Sequence, residues 1–228
     1  MKTKINSLII SLLIFLPGLS MAAEVEGMPA ADALKRLQDG NAKFVAATLT
    51  GLNGQELVAR RTELTKDQKP FAIIVSCSDS RVPPELIFDV GLGDVFVVRT
   101  AGEVVDPVAM GSIEYAVAHL GTNLIVVLGH QKCGAVAAAV SHAKESGNIP
   151  DVLKAIGPAV EETKGKPGDP LDNAVRANAL DIAKHLETTG PFIPPRVKAG
   201  TLTNCPRNCP GPQPRSMTDR APRSCSAS

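Results

Sequence analysis

Leu124-Ile125-Val126-Val127-Leu128-Gly129-His130-Gln131-Lys132-Cys133-Gly134 is the stretch on which the reading of this chain turns. Leu124 to Leu128 is a short, unbroken apolar run. That is the pattern of a parallel strand buried on both faces. The glycine ends the run, and a histidine and a cysteine follow within four residues. Gly134 then opens an Ala-rich segment that predicts a helix over 134–143.

Upstream, Phe71 to Ser76 and Val95 to Val98 are two more runs of the same kind. Helical spacing fills the gaps between them. Leu34, Leu37, Asn41 and Phe44 predict a helix over 29–46. Asp106 as N-cap and Pro107 at the first position start another, whose stripe of Met110, Ile113, Val117 and Leu120 stops at Gly121. Two further helices are predicted over 149–162 and 171–187, with a Gly/Pro loop at 165–170 between them. Strands alternating with helices imply an α/β fold, an open and mostly parallel sheet flanked by helices.

In such sheets, ligands gather at the carboxyl ends of the strands. The first strand ends in Cys77-Ser78-Asp79-Ser80-Arg81, and the third in His130 with Cys133 close behind. Cys77, Asp79, His130 and Cys133 together offer two thiolates, a carboxylate and an imidazole. Those are the ligand types zinc prefers, in a tetrahedral number. Each residue alone would read as core or filler. Their meeting at adjacent strand ends points to a metal site.

Cys77-Ser78-Asp79-Ser80-Arg81, followed by Gly129-His130-x-x-Cys133-Gly134, resembles the β-class carbonic anhydrases. Asp39-Gly40-Asn41-x-x-Phe44, Gly93-Asp94-x-Phe96-Val97-Val98-Arg99 and Ser112-Ile113-Glu114-Tyr115-Ala116-Val117 extend the likeness over roughly 30–202. The resemblance implies one Zn2+ per chain, bound by Cys77, His130 and Cys133, and reversible hydration of carbon dioxide to bicarbonate and a proton by a zinc-bound hydroxide. It makes Asp79 a fourth ligand that Arg81 can draw away, so that water takes the vacated position. It also implies that Gln68, Phe96, Tyr115 and Gly134 line the substrate pocket. Phe96 and Tyr115 match aromatics that commonly come from the partner subunit, and the pocket built across two chains implies a homodimer or a larger homo-oligomer. His119, His142 and His185 lie outside the motifs and carry no role in this reading.

Two stretches depart from the family's pattern. Arg99-Thr100-Ala101-Gly102-Glu103 replaces the usual Arg-Asn-x-Ala/Gly-Asn, placing a charge near the site. After Leu202 the family continues with strands, whereas residues 205–228 contain no Val, Ile, Leu or Phe and are rich in Pro, Arg, Ser and Cys. That composition predicts a disordered tail and a sheet lacking its fourth parallel strand and the edge strand after it. The domain is therefore drawn as 23–204.

Residues 1–22 read as an export signal, with Lys2 and Lys4 before an apolar run and Ser20-Met21-Ala22 as the cleavage site. The expected product is periplasmic or secreted, with no membrane segment left after cleavage. A formal net charge of +1 and 3% aromatics speak against a nucleic-acid partner. The rival readings are hydrolysis of carbonyl sulfide or carbon disulfide on the same fold, a non-catalytic zinc protein, and thiol redox chemistry by Cys77 and Cys133.

Overall fold

The computed structural model describes residues 27–50 and 54–209. The expected export signal and the chain beyond Cys209 lie outside them. Four strands, β1 (Ala72–Cys77), β2 (Val95–Thr100), β3 (Leu124–His130) and β4 (Thr203–Cys209), form one parallel sheet in the order β2-β1-β3-β4. Eight helices accompany them: α1 (Ala30–Val45), α2 (Gly54–Leu64), α3 (Pro84–Ile87), α4 (Pro107–His119), α5 (Gly134–Val140), α6 (Ile149–Thr163), α7 (Pro170–Thr188) and α8 (Ile193–Lys198).

The apolar runs became strands because both of their faces are covered. Along β1 and β3, Ile74, Leu124, Val126 and Leu128 point into a core shared with α1, α5 and α6. Their neighbours Ile73, Val75, Ile125 and Val127 point into a second core with α4 and the later part of α7. The period of two thus sends alternate residues to two buried layers. The α4 start is as expected: Asp106 Oδ1 accepts from the Ala109 amide at 2.8 Å behind Pro107. α1 reaches α3 only because Gly40 has no side chain; a Cβ there would lie 1.7 Å from the Phe88 carbonyl oxygen.

The sheet corrects the expectation for the C-terminus. Residues 203–209 are not a tail but β4, the parallel fourth strand, aligned from Leu124 against Thr203 to His130 against Cys209. The boundary drawn at 204 therefore falls inside a strand. Several contacts hold this polar segment. Its backbone completes the ladder on β3. Leu202 and Cys205 are buried. The buried Asn204 side chain donates to the Ala183 carbonyl of α7 at 2.7 Å. Pro206 is tolerated because β4 closes the strand order among the described residues, and proline is found on such strands.

Candidate metal centre

The carboxyl ends of β1 and β3 lie side by side, and this brings Cys77, His130 and Cys133 together. Their ligand atoms all fall within 4.8 Å of one another, and all three residues are buried. Cys77 closes β1. Cys133 sits at the N-cap of α5, brought back toward the strand by a turn in which Lys132 takes a left-handed φ of 54°. The two sulfurs are 3.9 Å apart and both thiols are free. A disulfide needs about 2.05 Å, whereas two thiolates on one tetrahedral zinc stand about 3.8 Å apart at the usual Zn–S length.

His130 is oriented for the same purpose. Its Nδ1 lies 3.1 Å from the Gln131 carbonyl, which fixes that nitrogen as the donor. Its Nε2 is buried with no hydrogen-bond partner. A buried imidazole nitrogen with no partner, beside two thiols, fits the place of a metal ligand. The donor set of two sulfurs and one nitrogen fits zinc.

Asp79 is outside this trio. Its Oδ1 accepts from the Arg81 amide and Nε, both at 2.9 Å, and its Oδ2 from Arg81 Nη2 at 2.7 Å. The same Nη2 donates to the Lys132 carbonyl at 3.1 Å, tying the β1 loop to the β3 loop. The four-ligand set read from the sequence is thus a set of three here, with the carboxylate held by a two-pronged guanidinium. Arg81, hydrogen-bonded to it, holds the Asp79 carboxyl well below the usual carboxylate range.

Charge in the cluster is shared. Cys133, hydrogen-bonded to Cys77, pulls the Cys77 thiol down, and His130 and the Gly102 amide add to this against the penalty of burial. Cys133 moves up, because it faces that same thiolate and is itself buried. One proton therefore leaves the sulfur pair easily and the second only with a cation present. For His130, burial pulls downward, but the Cys77 thiolate and the carboxylates of Asp79 and Glu103 outweigh it and raise the imidazole.

Three supporting residues carry roles that the motifs do not reveal. Arg99 Nε and Nη2 donate to the carbonyls of Cys77 and Asp79 at 2.8 and 2.6 Å, fixing the loop that presents both. The signal for it was present, since Arg99 ends the second strand run. Glu103, from the departing stretch, is 1% exposed, and burial pushes its carboxyl up to about 8 against the hydrogen bond it receives from Asn178. Asn178 sits on α7, 75 residues further on, where spacing alone links it to nothing.

The expected pocket residues divide. Gly134 adjoins Cys133 at the start of α5, and a Cβ there would meet nothing within 4 Å. Phe96 and Tyr115 are neighbours, with ring centroids 6.5 Å apart, and Tyr115 in turn lies 5.1 Å from His119. Phe96 pairs with Ile73, four residues before Cys77, so this group is on the order of 13 Å down the sheet from the cluster. Gln68 is exposed ahead of β1, at the sheet's opposite end. Within one chain, Gln68, Phe96 and Tyr115 are not brought to the metal centre.

A family model described as carbonic anhydrase matches residues 72–204, which takes in every residue of the trio. The chain belongs to the β-class carbonic anhydrase family. It is 48% identical over 174 residues to carbonic anhydrase 2 of Mycobacterium tuberculosis, an alignment covering 75% of this chain and 83% of that one. It is 49% identical over 132 residues to a carbonic anhydrase of Mycolicibacterium smegmatis, covering 56% of this chain and 63% of the relative. Among solved structures it is similar to a tetrameric β-carbonic anhydrase of the ascomycete Sordaria macrospora, with a TM-score of 0.62, 26% identity, and coverage of 68% and 83%. The fold alone is also shared with a β-carbonic anhydrase of Aspergillus fumigatus, at a TM-score of 0.64, 24% identity, and coverage of 86% and 92%.

Proposed function

We propose that this chain is an exported zinc enzyme that interconverts carbon dioxide and bicarbonate. The observation that carries the proposal is the clasp of Arg81 on Asp79. It engages both oxygens of the carboxylate that the cysteine motif carries and so leaves three protein ligands, Cys77, His130 and Cys133. A structural zinc site is closed by four protein ligands, and a catalytic one keeps a position open. Zinc bound there supplies the Lewis acidity that makes a nucleophile from water near neutral pH.

The chain's own residues then have distinct tasks. Cys77, His130 and Cys133 hold the metal. The Gln131 carbonyl keeps the His130 proton on Nδ1, leaving Nε2 as the ligand atom. Arg81 keeps Asp79 off the metal, and Asp79 presents acceptor oxygens at the mouth of the site. Gly134, without a side chain, leaves room for substrate next to Cys133. Gln68, Phe96 and Tyr115 lie too far from their own chain's cluster to touch substrate there, which supports a homodimer in which each copy lines the other's pocket. Export rests on the leader at 1–22.

Stopped-flow hydration of carbon dioxide by the chain starting at Ala23, with zinc per chain measured on the same sample, tests this. Near one zinc per chain with fast hydration is the expected result. Zinc without hydration would leave only a structural metal. The companion test is Arg81→Ala. It should keep its zinc and lose turnover, because Asp79 is freed to take the open position; a fully active variant refutes the clasp.

A further inference from the structure

Glu103 is a buried carboxyl that the proposed chemistry does not use. It belongs to the short turn Ala101–Glu103 that follows β2, and both Gly102 and Glu103 there have left-handed backbones, with φ of 64° and 47°. Gly102 suits that conformation, and it must also lack a side chain, since a Cβ would lie 2.6 Å from Ile156 Cδ1. Glu103 does not suit it. A left-handed glutamate persists only where its surroundings over-determine it.

What over-determines it is α7. The Asn178 amide nitrogen donates twice, to the Gly102 carbonyl at 2.9 Å and to Glu103 Oε1 at 3.1 Å. Asn178 is 3% exposed. The amide on the other side of the same residue turns to the metal centre, where the Gly102 N–H lies 3.4 Å from Cys77 Sγ. A continuous path of hydrogen bonds therefore runs from α7 through the turn to a ligand sulfur. An amide donated to a thiolate steadies its charge and fixes its direction. Partners of this kind govern how tightly a site holds its metal.

We propose that Asn178 and Glu103 are positioning residues for the metal centre, clamping the turn so that the Gly102 amide holds the Cys77 sulfur in its ligating position. The clamp rests on the reading of Cys77 as a zinc ligand. It assigns a task to the glutamate that departs from the family's pattern.

The test compares Asn178→Ala, Glu103→Ala and Glu103→Gln in the full chain. Zinc affinity is measured by competition with a chromophoric chelator. The thiolate-to-metal absorption band is recorded with cobalt in place of zinc, and unfolding of the metal-free proteins is followed in parallel. The two alanine variants should bind zinc at least 10-fold more weakly, the scale typical of lost outer partners, and shift the cobalt band. Glu103→Gln should stay close to wild type, because its amide oxygen still accepts from Asn178. Alanine variants with wild-type zinc affinity and an unchanged cobalt band overturn the clamp, even if their metal-free forms melt earlier, since only packing would then be lost. If Asn178→Ala does not fold, the contrast between Glu103→Ala and Glu103→Gln decides alone. A wild-type chain that takes up no zinc overturns the metal reading itself, and the clamp with it.

Discussion

β3 and β4 lie against one another in the same parallel ladder, seven residues against seven, and share almost nothing in composition. β3 is buried at every position. Each of its residues faces one core or the other, so its side chains had to be apolar until the strand reached the site, where Gly129 and His130 take over. β4 reads Thr-Asn-Cys-Pro-Arg-Asn-Cys. It has a neighbour on one side only among the described residues, and beyond the buried Asn204 and Cys205 its contribution is backbone. A central strand is specified by what its side chains must fill. An edge strand needs only to satisfy the ladder beside it and to present a few small or anchored groups. The two strands also differ in chemistry: ionisable groups gather at the ends of β1, β2 and β3, while the anchor of β4 is a neutral amide.

The sharpest break between them should come at the tip of β3. His130→Ala removes the one nitrogen ligand. Zinc content should fall by more than the ~10–100-fold expected for loss of an outer partner, and carbon dioxide hydration should drop to background. A zinc-replete, active His130→Ala chain would move the metal centre elsewhere. The next effect concerns pH. Burial raises the Glu103 carboxyl from an ordinary 4.5 to about 8. The unfolded chain therefore ionises first, while the native chain keeps its proton. The stability due to this group is complete below pH 4.5 and is lost as pH rises toward 8. In the metal-free chain the loss should reach up to ~5 kcal/mol, from 1.36 kcal/mol per unit. Glu103→Gln, which carries no proton to lose, should flatten that slope in denaturant unfolding followed across pH 4 to 9. An unchanged slope would show that the carboxyl ionises as freely in the fold as outside it.

The same contrast explains what could be read in advance. The strands β1, β2 and β3, the capped start of α4 and the long stripe of α7 were legible because buried faces and caps constrain single residues locally. The trio was legible because two ligand-bearing loops end adjacent strands, whereas Arg81 was reached through the family resemblance of the motif that carries it. β4 was not, since composition measures what side chains can bury, and most of what holds β4 is a ladder built by β3. α2 and α8 also lacked a clear signal, being short or dominated by charged and proline residues. The link from Asn178 to Glu103 spans 75 residues and depends on how α7 crosses the turn. No spacing rule encodes that.

The smallest effects bear most directly on how each strand is held. Ile125 in β3 is fully buried in the core shared with α4 and α7. Cutting it to alanine leaves a cavity where neighbours on both sides are fixed, so Ile125→Ala should cost about 2–5 kcal/mol. Asn204→Ala in β4 removes the hydrogen bond to the Ala183 carbonyl and a longer one, 3.5 Å, to Glu187 Oε1. It also removes Asn204 Oδ1, which is buried without a partner, and that relief offsets part of the loss. The net cost should be about 1 kcal/mol. Both variants should keep their zinc, and denaturant midpoints measured side by side give the ratio. If Asn204→Ala costs as much as Ile125→Ala, then β4 hangs on this amide anchor to α7 more than on the ladder. Its polar sequence would then be the specification of the strand, not merely what an edge permits.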